Sequence, residues 1–138
     1  MTELRESDIG EFKAHFRGDV LVPGNAGYDE VRQIWNAMVD RRPALIARCS
    51  SPEDVVQAVK FARKQDLTVS VRGGGHNIAG NAVCDGGLMI DLSPMKRVKV
   101  DPSARQASVE PGCTLADFDA AAQAHGLATP LGINSTTG

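Results

Sequence analysis

The chain has 138 residues, 42% hydrophobic and 23% charged, with 15 lysines and arginines against 17 aspartates and glutamates. That length suits one domain with a buried core, and the near-even charge excludes a nucleic-acid binder working through a basic surface. No apolar run approaches the roughly 18 residues of a membrane span, and four Phe, one Trp and one Tyr make no stacking platform for single-stranded nucleic acid.

Residues 1–12 are polar and of mixed charge, without the apolar stretch of a signal peptide, so the cytoplasm is the default location. Ile9, Phe12 and Phe16 predict a short amphipathic helix behind Ser7 as its cap. Gly18, Pro23, Gly24, Asn25 and Gly27 make the next stretch turn-rich. Val31, Ile34, Trp35 and Met38 fall on one face of a helix expected over Tyr28 to Val39. Ala44 to Ala47 reads as a strand.

Ser51-Pro-Glu-Asp54 is a helix start: a capping hydroxyl, a proline suited to the first position, and acids at the positive end. Val55, Val59 and Ala62 line the expected inner face, flanked by Val56 and Phe61. Leu67 to Val71 follows as a β-branched strand. Strand, helix and strand in that order argue for a small parallel sheet. Leu88 to Leu92 is a further buried strand, and Val98 to Val100 and Ala107 to Val109 are two more, joined by Asp101-Pro102-Ser103 as a turn. Thr114 with Asp117 caps a helix whose inner face is Leu115, Phe118 and Ala122, ended by Gly126. A loop of small residues runs from Thr129 to Gly138.

The sharpest local feature is Arg72-Gly73-Gly74-Gly75-His76-Asn77, directly behind a strand. Glycines let the backbone turn and come close to a ligand, and successive N–H groups in such a turn form a concave anion site. No Gly-Lys-Ser/Thr follows, so a P-loop is excluded. A dinucleotide fingerprint counted from Gly73 would need a small residue where Ile78 stands, and Gly80-Asn81 and Asp85-Gly86-Gly87 interrupt the helix that fingerprint requires. A turn without a ligand and a site for some other nucleotide both remain open. His76 beside such a loop is a candidate nucleophile or proton carrier. His15 and His125 read as structural or exposed, and no histidine spacing suggests a metal site. Cys49, Cys84 and Cys113 read as small buried hydrophobes, not as a disulfide framework.

Several ordered motifs together resemble one family. Pro43-Ala-Leu-Ile-Ala47, Ser51-Pro-Glu-Asp-Val-Val56, Val69-Ser-Val-Arg-Gly-Gly-Gly-His-Asn77, Gly87-Leu-Met-Ile-Asp-Leu-Ser93, Val109-Glu-Pro-Gly112 and Pro130-Leu-Gly-Ile-Asn-Ser-Thr-Thr-Gly138 look like the landmarks of FAD-linked oxidases. They resemble the vanillyl-alcohol oxidase and para-cresol methylhydroxylase superfamily, in its berberine-bridge-enzyme-like branch. The likeness runs from about Gly24 to Gly138.

The resemblance implies an α+β, two-subdomain flavin-binding fold, with a strand-helix-strand first subdomain and an incomplete second one. Residues 1–42 would be a helical lead-in, 43–101 the first subdomain and 102–138 the start of the second. FAD would lie between them. Arg72, Gly73, Gly74, Gly75, His76 and Asn77, with Gly80 and Asn81, would face its pyrophosphate, and Asn134, Thr137 and Gly138 would approach from the other side. In this branch the histidine matching His76 is bonded to the 8α-methyl carbon of the flavin. Electron withdrawal by the ring acidifies that methyl group, and a neutral imidazole nitrogen can attack the electrophile that results. Asn134 stands where some members carry a second, cysteine attachment, so a single link is expected.

The family's enzymes continue well beyond such a segment, and the remainder supplies the substrate domain and the catalytic base. No base can be named here, so the chain reads as the N-terminal portion of an FAD-dependent oxidoreductase acting on a small-molecule substrate. The rival reading is a truncated, non-catalytic flavin-fold module serving assembly. An apolar face left where further chain belongs would favour a homo-oligomer. No nucleic-acid or membrane partner is expected.

Overall fold

Leu45-Ile46-Ala47 and Leu88-Met89-Ile90 are continuous apolar runs, the pattern of strands covered on both faces. In the computed structural model, which describes residues 4–138, they form β2 (Leu45–Arg48) and β4 (Leu88–Asp91). These two pair in parallel with Leu45 opposite Leu88 and Arg48 opposite Asp91. β3 (Val69–Arg72) runs parallel along the other edge of β4. The strand-helix-strand unit is therefore present, with β4 inserted between its two strands.

The fourth strand, β1 (Asp19–Leu21), pairs antiparallel with β2, giving the order β1-β2-β4-β3. It lies inside the stretch expected to hold only turns. Its three residues are too few to show periodicity, and its partners Ile46 to Arg48 are distant in sequence.

α3 (Pro52–Lys64) begins as expected: the Ser51 hydroxyl accepts the Asp54 N–H at 3.3 Å. Its buried face differs from the expected one. Ala58, Phe61 and Ala62 are buried, whereas Val56 and Val59 are about half exposed. Phe61 turns inward to stack on Phe12, with ring centroids 4.5 Å apart. Seating that ring removes more apolar area from water than seating a valine would. Phe12 and Phe16 come from α1 (Glu6–Ala14) and the turn after it. That helix is preceded by Arg5, not capped by Ser7, and Arg5 pairs with Asp8 at 2.9 Å.

The helix expected over Tyr28 to Val39 is only a single turn, α2 (Tyr28–Val31). Ile34 is buried, but Trp35 is 64% and Met38 93% exposed. Beyond α2 the helical ladder gives way to isolated turns and a long-range bond: the Trp35 N–H donates to the Gly75 carbonyl at 3.1 Å.

A separate two-stranded sheet follows, the hairpin of β5 (Val98–Asp101) and β6 (Gln106–Val109), paired antiparallel. α4 (Leu115–Gln123) packs against β5. Its capping box is complete, with the Thr114 hydroxyl accepting the Asp117 N–H and the Asp117 carboxylate accepting the Thr114 N–H at 2.8 Å. Among the described residues, no helix is long and apolar enough to cross a membrane.

Candidate functional site

β3 gives up its last ladder bond when the Arg72 carbonyl accepts the Leu92 N–H at 2.8 Å. The chain then leaves the sheet edge as Gly73-Gly74-Gly75. Side chains are excluded here by close approach on two sides. A Cβ on Gly73 would stand 2.6 Å from the Pro111 carbonyl oxygen, and one on Gly74 would stand 2.6 Å from the Gly138 nitrogen. Gly75 has φ +76°, a conformation costing a side-chain-bearing residue about 1–2 kcal/mol.

The turn leaves its donors unspent. Among the described residues, no acceptor takes the backbone N–H of Gly73, Gly74, Gly75, His76 or Asn77. Gly75 is buried and Gly73 and His76 are half-buried, while Gly74 and Asn77 are open to solvent. A consecutive row of N–H groups without acceptors in such a turn is a concavity suited to an anion.

The opposite wall is the loop ending at Gly138. α4 holds it: the Leu115 N–H donates to the Thr137 carbonyl at 2.8 Å and the Ala116 N–H to the Ser135 carbonyl at 3.0 Å. Donors that any helix start would leave unmatched thereby fix the loop beside the glycine turn. Between the two walls lies a cleft of about 480 Å³, lined by Val71, residues 73–77, Ala82, Pro111, Thr137 and Gly138. No acidic side chain is among them. A second cleft, of about 540 Å³, lies between the β5–β6 hairpin and α4, with Gly126 in its lining.

Seven of the expected site residues therefore meet in one place: Gly73, Gly74, Gly75, His76, Asn77, Thr137 and Gly138. Four stand elsewhere. Arg72 turns its guanidinium toward α2, where Nη1 donates to the Val31 carbonyl while Nε is buried without a partner. Gly80 packs under Val39, and its carbonyl accepts Arg41 Nη1 at 2.9 Å. The Asn81 N–H donates to Asn77 Oδ1 at 3.0 Å. Asn134 shapes the far loop, its Oδ1 accepting the Thr136 N–H and hydroxyl at 3.1 and 2.8 Å. Val71, Ala82 and Pro111 join the lining unforeseen. Of these only Pro111 carried a signal, the Pro-Gly punctuation before α4.

His76 is half-buried on the cleft rim, and its ring stacks on that of Trp35 with centroids 5.5 Å apart. No local pattern in the sequence joins these two residues. The one tyrosine, Tyr28, spends its hydroxyl on the Pro43 carbonyl at 2.6 Å. Cys49, Cys84 and Cys113 are all free and buried. Burial pushes the Cys49 thiol up to about 12 and raises that of Cys113, as expected of small apolar side chains and not of nucleophiles.

The donors, the lack of acidic side chains and the missing Cβ atoms together fit the diphosphate of a dinucleotide. Comparison with known proteins points the same way. The profile of a family described as FAD binding domain matches residues 43–138. (R)-6-hydroxynicotine oxidase of Paenarthrobacter nicotinovorans is 37% identical over 122 residues, covering 88% of this chain and 27% of that protein. An FAD-linked oxidoreductase of Dictyostelium discoideum is 37% identical over 131 residues, covering 94% of this chain and 28% of that one. Among solved structures, 6-hydroxy-D-nicotine oxidase from Arthrobacter nicotinovorans superposes with a TM-score of 0.86 at 36% identity, over 89% of this chain and 27% of the other. A carbohydrate oxidase from Microdochium nivale gives 0.84 at 27%, over 94% and 28%. The chain thus spans somewhat over a quarter of the length of these relatives.

Proposed function

The chain belongs to the FAD binding domain family, among the FAD-linked oxidoreductases of the vanillyl-alcohol oxidase and para-cresol methylhydroxylase superfamily, and on that premise we propose that it grips the FAD diphosphate with the amides of residues 73–77 and anchors the flavin covalently through His76. The observation that carries this reading is the row of unspent N–H groups at residues 73–77, all of which line a cleft with no acidic side chain, His76 among them. A diphosphate accepting several such donors gains charge-assisted hydrogen bonds of about 1.5–3 kcal/mol each.

Bound FAD supplies an acceptor for a hydride taken from a substrate C–H bond. This chain's share in that reaction is to hold and orient. The glycine turn would let backbone come close to the phosphates, and the Thr137–Gly138 segment would hold them from the α4 side. His76 would offer an imidazole lone pair to the 8α-methyl carbon of the flavin, giving up its own N–H proton, with the flavin and then dioxygen as the acceptors of the two electrons that the new C–N bond leaves over. For the whole protein, the reading is oxidation of a small-molecule substrate with dioxygen as the final acceptor.

The experiment is to incubate the protein with FAD, precipitate it with acid and look for flavin remaining on the polypeptide. Yellow, fluorescent protein is expected from the wild type, and colourless protein from His76→Ala that still binds FAD reversibly. Flavin retained on His76→Ala after precipitation would overturn the assignment.

A further inference from the structure

We propose that Trp35 is the positioning residue for His76: its indole holds the plane of the imidazole so that the ring's edge is offered to the cleft. This rests on the reading of His76 as the attachment point. Trp35 is 64% exposed, which is unlike a tryptophan placed to fill a core. What it touches is the His76 ring, with centroids 5.5 Å apart and planes inclined by 24°, an offset stack of favourable geometry.

The stack is held by bonds on both sides of His76. The Trp35 N–H donates to the Gly75 carbonyl at 3.1 Å, and Asn36 Nδ2 donates to the Ile78 carbonyl at 2.9 Å. Residues 35–36 thus clamp the loop immediately before and shortly after the histidine. Arg41 extends the seam, with Nη1 donating to the Gly80 and Val83 carbonyls at 2.9 and 3.0 Å. This seam also explains why α2 stops after one turn. Among the described residues, the His76 ring nitrogens have no hydrogen-bond partner, so no polar contact fixes the ring. The indole covers one face and leaves the nitrogen-bearing edge free. A nucleophile whose approach is already oriented reacts faster without binding its target more tightly.

The test is the rate at which FAD becomes acid-stable on wild type, Trp35→Ala and Trp35→Phe. Trp35→Ala should slow attachment roughly threefold to tenfold, the worth of one stacked pair, and Trp35→Phe should restore most of it. The dissociation constant for reversible FAD binding, measured in His76→Ala protein, should not change when Trp35→Ala is added. Attachment at the wild-type rate in Trp35→Ala, or an equal loss of reversible affinity, would overturn the proposal. If wild type attaches no flavin, the His76 reading fails, and proton NMR of the apoprotein then decides for Trp35. His76 ring protons displaced upfield by the indole, and relaxing in Trp35→Ala, would support the positioning role; undisplaced protons would end it.

Discussion

Replacing Gly74 with alanine should weaken FAD binding while leaving the protein folded. The new Cβ would sit 2.6 Å from the Gly138 nitrogen and 2.7 Å from its Cα. Both partners are backbone, so no side chain can swing aside. To reach an ordinary contact of 3.4 Å, the two walls must part by about 0.8 Å. A shift of that size takes at least one N–H out of range of the diphosphate. Losing one charge-assisted bond of about 1.5–3 kcal/mol weakens binding roughly tenfold to a hundredfold. Flavin fluorescence quenching on titration of FAD into the protein measures this, with a urea melt of the same sample to show that folding is intact. The control is Gly10→Ala in α1, where an added Cβ meets nothing within 4 Å. That change should stabilise the helix by about 0.5–1 kcal/mol and leave FAD binding alone. A Gly74→Ala protein that binds FAD as tightly as wild type would refute the account of the grip.

Three further outcomes follow from the packing and the ionisable groups. Leu88 is fully buried in the strand flanked on both sides by parallel neighbours, so Leu88→Ala should cost about 2–5 kcal/mol in urea unfolding. Asp117 is held below the usual carboxylate range by the Thr114 N–H and hydroxyl, and Glu110 by the Arg97 N–H and guanidinium. At Asp54 burial pulls upward, but the Ser50 hydroxyl and the amides of Arg17, Ser50 and Gly18 outweigh it. Each group binds protons less readily folded than unfolded, so its contribution is complete above about pH 5 and is lost as pH falls below about pH 4. A urea midpoint that rises on acidification would contradict this. The Cys49 thiol, pushed up to about 12 by burial and fully enclosed, should resist a thiol reagent at pH 8 until urea is added; rapid labelling of Cys49 in the folded protein would show that the core opens.

Much of this was legible in the residues, for local reasons. The apolar runs around Ile46 and Met89, the Ser51-Pro52 start of α3 and the Thr114–Asp117 box each encode an element through neighbours a few positions away. The glycine turn was equally visible, because three consecutive glycines sit directly behind a strand. The misses have long-range causes. The spacing of Val31, Ile34, Trp35 and Met38 imitates a helical face, yet the Gly75 carbonyl takes the Trp35 N–H and the Ile78 carbonyl takes the Asn36 side-chain amide. The Arg72 guanidinium is directed to the Val31 carbonyl, 41 residues away, a contact no local pattern encodes. Val59 belongs to the apolar pattern of α3, yet Phe61 sets the rotation of that helix through Phe12. No periodicity could reveal that Thr137 and Gly138 reach the glycine turn, since they are carried there by the first amides of α4.

The central claim is that backbone N–H groups at residues 73–77 hold the diphosphate. It is tested most directly by recording the amide resonances of ¹⁵N-labelled protein while FAD is added. The amides of Gly73 to Asn77 should move together and saturate with FAD, and ADP should reproduce that movement while riboflavin, which lacks phosphate, does not. Amides that stay in place while FAD shifts resonances elsewhere in the protein would contradict it.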